Sequence, residues 1–172
     1  MKKLSLVTIF SVALLLMTGS AFAASDTKNL TVTANVGSTA KLTLGATTLT
    51  FPDSDPDNTP LITATEGAIN VTAKAKTAAG SSVALEVRSS GGSSGNLISG
   101  SGDTIPIGNL RWQGTGTGFV GGPTNVSNTN QLAGSWNQSG NYSGTQTFSL
   151  VNSWAYAVGT YTATITYTLT SP

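Results

Sequence analysis

The sequence of 172 residues contains no cysteine and no histidine. Without thiols the chain cannot be held together by disulfides, so its stability must come from side-chain packing and backbone pairing. The two absences also remove the commonest general base, the thiol nucleophile and the usual zinc ligands. We therefore expect a protein that is not an enzyme.

Long apolar runs are absent after the first residues of the chain. Lys2 and Lys3 precede an apolar run from Leu4 to Met17, and the small-residue triplet Ala21–Ala23 follows it. This order is typical of a secretory signal peptide, which we place at residues 1–23. The run is shorter than the roughly 20 apolar residues that a membrane helix needs. We expect an exported protein in the periplasm, at the cell surface or outside the cell, with no membrane span after signal removal.

Charge is scarce, because Asp, Glu, Lys and Arg together make up 9% of the chain. Once the two signal lysines are removed, six basic residues remain beside seven acidic ones. No basic stripe is present to neutralise phosphates, which argues against nucleic-acid binding. The charges on predicted strands, at Lys74, Lys76, Glu86 and Arg88, share the parity that faces solvent.

The chain does contain regular alternation of apolar and polar residues, which predicts β-strands. Predicted strands are Leu30–Val36, Ala40–Leu44, Thr48–Phe51, Ala68–Lys76, Ser82–Arg88, Ile105–Gln113, Gly144–Asn152 and Thr160–Thr170. One dry and one wet face per strand predicts an all-β fold, a sandwich of two mostly antiparallel sheets. We interpret the Gly- and Ser-rich stretch 89–103 as a loop, so that residues 38–172 form a single domain.

An acidic loop with the sequence DSDPDN is a candidate metal site. Asp53, Asp55 and Asp57 have the i, i+2, i+4 spacing that lets a tight loop direct several oxygens at one calcium ion. The match is incomplete, since Asn58 and Ala64 stand where a calcium loop of this type needs Gly and Glu. Asp and Pro are also common turn residues. The sequence leaves two interpretations open, a solvated turn and a calcium site.

Aromatic residues in the second half of the mature chain could bind a ligand by stacking. The candidates are Trp112, Trp136, Trp154, Tyr142 and Tyr156. Flat aromatic faces bind sugars in some β-sandwich modules, whereas large aromatics in a sandwich without disulfides more often fill the core. Trp112 has the parity of Leu110, which favours the core for that residue.

The clearest alternation lies at the two ends of the mature chain, in NLTVTANV (Asn29–Val36) and GTYTATITYTLT (Gly159–Thr170). With the LTF element at Leu49–Phe51, these ends resemble the spore coat protein U family, which includes subunits of archaic chaperone–usher pili. The C-terminal strand is also similar to WxL cell-wall domains, with Tyr167 at the position of the tryptophan.

The resemblance to the coat protein U family implies an immunoglobulin-like sandwich that lacks its last strand and is completed by an N-terminal donor segment, here within residues 24–37. The donor side chains would be Leu30, Val32, Ala34 and Val36. The groove edge would be formed by Tyr161, Ala163, Ile165, Tyr167 and Leu169. Family members commonly have a disulfide where this chain has Ala40 and Ala73. The implied partners are further copies or related subunits, and a periplasmic chaperone.

Two functions follow from these observations. The first is a non-enzymatic structural subunit of an extracellular or cell-surface assembly, pilin-like or coat-like, joined by β-strand addition. The alternative is a monomeric secreted or wall-associated module that binds carbohydrate, in which Leu30–Val36 pairs within its own chain.

Overall fold

The computed structural model describes residues 26–172, so the predicted signal peptide at residues 1–23 lies outside the described part. Residues 36–172 form one compact unit. Residues 26–38 contain no strand, so the strand predicted at Leu30–Val36 is not formed in the single chain. Alternation alone does not make a strand, because an extended segment needs a partner for its backbone groups.

The described residues form eleven β-strands and two short 3₁₀ segments. The strands are β1 (Thr39–Leu44), β2 (Leu61–Lys76), β3 (Val83–Ser89), β4 (Leu97–Ser99), β5 (Thr104–Ile105), β6 (Leu110–Thr115), β7 (Thr124–Asn125), β8 (Gln131–Trp136), β9 (Gly140–Val151), β10 (Tyr161–Thr162) and β11 (Ile165–Thr170). The 3₁₀ segments are Ser93–Gly95 and Ile107–Asn109. The fold is all-β, as the alternation predicted.

The strands form an antiparallel sandwich. One sheet has five strands in the order β1-β2-β9-β6-β7, and the sheet facing it has three in the order β11-β3-β8. A small third sheet has the order β10-β4-β5. Every pairing is antiparallel, and β2 carries a bulge between Thr63 and Ala68, where Gly67 has a φ of 66°. That backbone conformation is one that glycine adopts without strain.

The core lies between the two main sheets and follows the predicted parity. After the bulge in β2, and in β3 up to Val87, the buried side chains are Ile69, Val71, Ala73, Ala75, Val83, Leu85 and Val87. Trp112 from β6 is 1% exposed, and Phe148 from β9 packs in the same cluster. Lys74, Lys76 and Arg88 are exposed, as predicted for the solvent face. Ala40 pairs with Ala75 and Leu42 with Ala73, so Ala40 and Ala73 are diagonal neighbours on adjacent strands.

Six of the strands have the order of an immunoglobulin-type sandwich without its last strand, and β7 and β8 are additional edge strands. Such a sandwich has one sheet in the order A-B-E-D and a second sheet that contains C, F and G. Here β1, β2, β9 and β6 occupy the A, B, E and D positions, and β3 and β11 occupy C and F. Within residues 26–172, no strand occupies the G position beside β11.

Several predicted strand boundaries are wrong. Residues 48–51 form no strand, the predicted strand Ile105–Gln113 is interrupted by a 3₁₀ segment, and the predicted strand Thr160–Thr170 breaks between Thr162 and Ile165. At this last break the chain leaves the small sheet, where Tyr161 pairs with Ser99, and enters the sheet of β3. The single alternating run Thr160–Thr170 therefore contributes strands to two different sheets. The sequence reasoning also missed β4 and β8, which lie in Gly- and Ser-rich surroundings.

Candidate functional site: an apolar slot between two edge strands

An open cavity of about 350 Å³ lies between the edges of the two main sheets, and we call it the slot. One wall is formed by the C-terminal strands through Tyr161, Ala163, Ile165 and Tyr167. The other wall and the floor are formed by Leu44, Ala46, Leu49, Phe51, Ile69, Leu97, Leu110 and Phe148. The slot is thus lined mainly by apolar side chains.

The wall side chains are only half-buried, unlike the core beneath them. On the C-terminal side, Tyr161, Ala163, Ile165, Tyr167 and Leu169 are all of intermediate exposure, and all but Leu169 line the slot. On the opposite side, Leu42, Leu44, Ala46, Leu49 and Phe51 have the same intermediate exposure. The structure therefore places four of the five predicted groove-edge residues at the slot and adds a second wall. The parity of Leu42 and Leu44 was the signal that could have identified that wall.

The backbone of β11 presents free hydrogen-bonding groups to the slot. Ser90 N–H donates to the Thr164 carbonyl at 2.8 Å, which marks Thr164 and Ser90 as a hydrogen-bonded pair. Antiparallel ladders alternate hydrogen-bonded and non-hydrogen-bonded pairs, so the threonines of β11 bond to β3. The backbone groups of Ile165, Tyr167 and Leu169 then point away from β3, toward an edge where no strand of residues 26–172 pairs.

The edge of β1 has the same arrangement. Gly45 N–H donates to the Asn70 carbonyl at 2.7 Å, which marks these two residues as a hydrogen-bonded pair. By the same alternation, Thr43 and Lys41 bond to β2, whereas the backbone groups of Leu42 and Leu44 face the slot. On both strands, therefore, the residues with apolar side chains also have the unpaired backbone groups. This combination is what an inserted β-strand requires.

The two edge strands run in opposite directions and meet where β1 begins and β11 ends. Ser38 Oγ, just before β1, donates to the Pro172 carbonyl at 2.9 Å, just after β11. Thr77 Oγ1 donates to the same carbonyl at 3.0 Å, and Ser171 Oγ donates to the Lys76 carbonyl at 2.5 Å. The slot lies away from this end, since Leu44 and Ile165 line it and Leu42 and Leu169 do not.

The segment 48–51 forms part of the slot wall without being a strand. It is fixed at Thr50, whose N–H donates to Glu66 Oε2 at 2.8 Å and whose carbonyl accepts from Thr65 N–H at 2.9 Å. The Thr50 N–H lowers the pKa of the Glu66 carboxyl, since the hydrogen bond stabilises the charged form. This tether at the β2 bulge holds Leu49 and Phe51 against the slot.

A buried polar pair lies behind the slot wall. Tyr167 donates its hydroxyl to Gln146 Oε1, and Gln146 on β9 is 0% exposed. Burial raises the pKa of Tyr167, so its hydroxyl stays protonated at neutral pH. Gln146 Nε2 has no hydrogen-bond partner. The sequence analysis missed Gln146, although its parity with Phe148 and Leu150 would have placed it in the core.

The predicted donor side chains are exposed. Leu30, Val32 and Val36 are 88%, 81% and 75% exposed, and Ala34 is exposed as well. Large apolar side chains at every second position of an extended segment are unusual on a protein surface, where apolar residues normally occur singly.

In the acidic loop, the carboxylate oxygens of Asp55 and Asp57 accept hydrogen bonds from donors within the protein. Asp55 Oδ1 accepts from Asp57 N–H at 3.0 Å, and Asp55 Oδ2 accepts from the Asn58 amide. Asp57 Oδ1 accepts from Trp154 Nε1 at 3.0 Å. In the described part of the chain, no three Asp, Glu, His or Cys side chains are grouped to hold a metal ion. A melting experiment distinguishes the two interpretations of Asp53, Asp55 and Asp57, a solvated turn and a calcium site.

Of the five candidate aromatic residues, only Trp154 is strongly exposed, at 70%. Trp112 and Trp136 are buried, and Tyr142 stacks on Trp136 with ring centroids 4.5 Å apart. Tyr156 accepts a hydrogen bond from the Asn109 amide and donates one to the Val151 carbonyl. Among these five residues, Trp154 is therefore the one whose ring could stack on a ligand.

Among residues 26–172, no helix has the length and apolar content to span a membrane. No family model, curated protein or solved structure matches the chain.

Proposed function

We propose that the protein is a non-enzymatic structural subunit of an extracellular or cell-surface assembly, and that it is joined to its neighbours by β-strand addition. The slot between β1 and β11 accepts a strand, and residues 29–36 of a neighbouring subunit supply it. The observation that carries the proposal is the vacant G position, where apolar side chains and unpaired backbone groups coincide on both flanking strands.

The donor segment matches the slot in chemistry. Leu30, Val32, Ala34 and Val36 share one parity and would enter the slot, while Thr31, Thr33 and Asn35 would face water. Burying each of the larger side chains contributes about 1.5–3 kcal/mol. Backbone pairing with Ile165, Tyr167 and Leu169 adds affinity, and the alternate side chains fix the register. The resemblance of both chain ends to the spore coat protein U family favours the same arrangement.

A peptide titration tests the proposal. In the full chain, Val32→Asp puts a carboxylate on the donor face, which disables that chain's segment and leaves its slot intact. A labelled peptide TKNLTVTANV, residues 27–36, should bind this variant and raise its melting temperature, with the rise increasing as the logarithm of peptide concentration above Kd.

Two altered peptides serve as controls. A peptide with Val32→Asp should not bind, because its carboxylate would enter an apolar slot without a partner. A peptide with Thr33→Asp should bind like the unmodified one, because residue 33 has the opposite parity and would stay in water. Equal binding of both altered peptides, or no binding of the unmodified peptide, would contradict strand addition.

A carbohydrate-binding module is the second candidate function, and one observation favours it. The Trp154 indole is fixed by Asp57 and leaves its ring faces in solvent. If this indole is the binding face, the protein should be retarded on a polysaccharide column at the size of a monomer. Trp154→Ala should abolish that retardation, whereas Val32→Asp should leave it unchanged.

A further inference from the structure

We propose that strand addition is accompanied by a charged end-to-end contact, in which a lysine patch at one end of a subunit docks on the acidic loop 53–58 of the next copy. The lysine patch consists of Lys41, Lys74 and Lys76. This inference rests on the proposed function, and it adds the surface through which two copies recognise each other outside the slot.

The lysine patch gathers like charges on the outer face of the five-stranded sheet. Lys41 on β1 lies directly opposite Lys74 on β2, and Lys76 follows two residues later on the same face. Like charges directly opposite each other on neighbouring strands destabilise a sheet. Among residues 26–172, the one ion pair joins Lys28 and Asp26, so the patch has no carboxylate partner in this part of the chain. A negatively charged surface would relieve the repulsion.

The acidic loop offers such a surface at the other end of β2. Its three aspartate side chains are exposed. The loop is held in place, because the Asn152 amide donates to the carbonyls of Ser54 at 2.9 Å and Thr59 at 3.1 Å. The Trp154 indole N–H donates to Asp57 Oδ1 at 3.0 Å. The loop is therefore a preformed acidic surface.

The two charged clusters cannot neutralise each other within one chain. The strand β2 separates them with 16 residues, which extend over about 50 Å. Exposed charges interact only weakly beyond the Debye length, about 8–10 Å at moderate salt. Three of the six basic residues and three of the seven acidic residues after residue 23 thus lie at opposite ends of one strand. Contact between the clusters requires a second copy.

The direction of the inserted strand brings the two clusters together. A strand at the G position runs antiparallel to β11, so the inserted segment begins on the Pro172 side of the slot. Its last residue, Val36, then lies toward Phe51, whose segment is bonded to the first half of β2. Asp53 follows Phe51 by two residues, a reach of at most about 7 Å. The donor chain continues from Val36 to Thr39 in three steps, which span at most about 11 Å.

The strand β1 of the donor copy begins at its lysine patch. Thr39 pairs with Lys76, and Lys41 follows two residues later. The patch of the donor copy therefore comes against the acidic loop of the copy that accepts its segment. Insertion in the opposite direction would bring two lysine patches together, since Ser38 and Pro172 lie side by side. The favourable contact joins different surfaces, so it repeats at every junction of a head-to-tail chain.

The exposed indole of Trp154 contributes an apolar surface to the acidic end. It is 70% exposed, and its hydrogen bond to Asp57 fixes the ring beside a carboxylate. A lysine packs its aliphatic stem on an aromatic ring and is attracted to the ring face. An indole next to a carboxylate therefore matches a lysine side chain in both of its parts.

Two charge-reversal variants of the full chain test the contact. The reversed-patch variant carries Lys41→Glu and Lys74→Glu, and the reversed-loop variant carries Asp53→Lys and Asp57→Lys. Asp55 is kept, because it accepts the hydrogen bonds of the turn. Each variant alone brings like charges together at the junction, so the concentration for half-assembly, measured by light scattering, should rise at least about tenfold.

An equimolar mixture of the two variants should assemble at nearly the concentration of the wild type. In an alternating chain, the reversed patch meets the reversed loop at one junction, and the original patch meets the original loop at the next. Both junctions therefore pair opposite charges. Added salt should raise the half-assembly concentration of the wild type, because it screens exposed charges.

A matched control separates this contact from the effect of net charge. Lys74→Glu and Arg88→Glu change the net charge equally, and both residues are exposed on strands. Lys74→Glu should raise the half-assembly concentration, whereas Arg88→Glu should leave it unchanged.

Two further measurements separate the contact from the slot. The peptide 27–36 with an amidated C terminus should bind the Val32→Asp chain equally well when the patch or the loop is also reversed. Acrylamide should quench Trp154 in the Val32→Asp chain with or without peptide, and much less in the assembled wild type. Trp112 and Trp136 are buried and contribute little to this quenching.

The outcomes distinguish the charged contact from the proposed function. If the peptide binds and both reversed variants assemble at the wild-type concentration, the contact is overturned and strand addition stands. A mixture that assembles no better than its two components also overturns the contact. Failure of the peptide to bind the Val32→Asp chain overturns both. Assembly that is weakened in each variant and restored in the mixture supports the inference.

Discussion

At the scale of single residues, the pair Gln146 and Tyr167 shows a polar group kept inside an apolar core. Tyr167 satisfies one end of the amide, while Gln146 Nε2 stays without a partner in the single chain. A buried amide group without a hydrogen bond destabilises the fold. Because Tyr167 also lines the slot, this pair links the core to the proposed insertion site.

Replacing both Gln146 and Tyr167 by apolar residues should therefore lower the free energy of unfolding less than replacing Gln146 alone. Gln146→Leu leaves the Tyr167 hydroxyl without its acceptor, and we expect it to lower the free energy of unfolding by about 1–3 kcal/mol. Combining it with Tyr167→Phe removes both polar partners and should recover most of that loss. Chemical denaturation of the two single variants and the double variant measures the coupling. Additive losses would contradict the pairing.

The Glu66 tether should make the slot wall sensitive to acid. The folded-state pKa of Glu66 lies below its ordinary value of 4.5, so the unfolded state binds a proton first as pH falls. The stabilisation is therefore present above that ordinary value and is lost as pH falls through the folded-state pKa. Glu66→Gln keeps an acceptor for Thr50 N–H without a titrating group. Between about pH 5 and about pH 3, the melting temperature of the wild type should fall more than that of this variant. If the melting temperatures of the wild type and of the Glu66→Gln variant fall equally with pH, Glu66 does not make the slot wall sensitive to acid.

At the scale of elements, the acidic loop 53–58 behaves as a turn fixed by its own residues and by Trp154. Because Asp55 and Asp57 already accept protein hydrogen bonds, we expect equal melting temperatures in chelator and in millimolar calcium. A rise that grows with calcium concentration would instead establish an ion site at this loop. Asp57→Asn is the control, since it would remove such a rise and still accept from Trp154.

In β11, alanine substitutions at two neighbouring residues should have clearly different effects on the free energy of unfolding. Ile165 is half-buried at the slot, and Thr166 is hydrogen-bonded to the Ser90 hydroxyl at 2.6 Å on the other face. In the Val32→Asp chain, Ile165→Ala should cost about 2 kcal/mol of unfolding free energy, the lower end for such a change. With peptide 27–36 bound, the cost should increase, because the inserted strand covers Ile165. Thr166→Ala should cost about 1 kcal/mol in both states. An Ile165 cost that does not change with peptide would place the peptide elsewhere.

Alternation in the sequence located best the strands that lie within one sheet over their whole length. Ser82–Arg88 agrees with β3 to within one residue at each end, because that strand has one dry and one wet face throughout. Ala68–Lys76 covers only the part of β2 after the bulge, since β2 begins at Leu61. The run Thr160–Thr170 was predicted as one strand, since periodicity carries no information on where a chain changes sheets. For β8 the signal failed because Ala133 is the extra residue of a bulge opposite Leu85 and Glu86, which interrupts the alternation, and because the buried Gly134 has no side chain. Parity was sufficient to place the groove-edge residues on one face and could also have placed Gln146 in the core, whereas the wall at 49–51 depends on the tertiary contacts of Thr50.

At the scale of the whole molecule, a sandwich with six strands in immunoglobulin order has two neighbouring open edges. Open edges carry unpaired backbone groups and usually are short, charged or covered. Here the two edges face each other across an apolar slot, and the alternating segment that would fill it lies at residues 29–36 of the same sequence.

Hydrogen exchange at the amides of β11 tests the central claim most directly. In the Val32→Asp chain, Thr166 and Thr168 should be protected by β3, while Ile165, Tyr167 and Leu169 should exchange rapidly, because their N–H groups face the empty slot. In the assembled wild type, all five amides should be protected to a similar degree. An unchanged alternating pattern in the assembled protein would contradict strand addition at this edge.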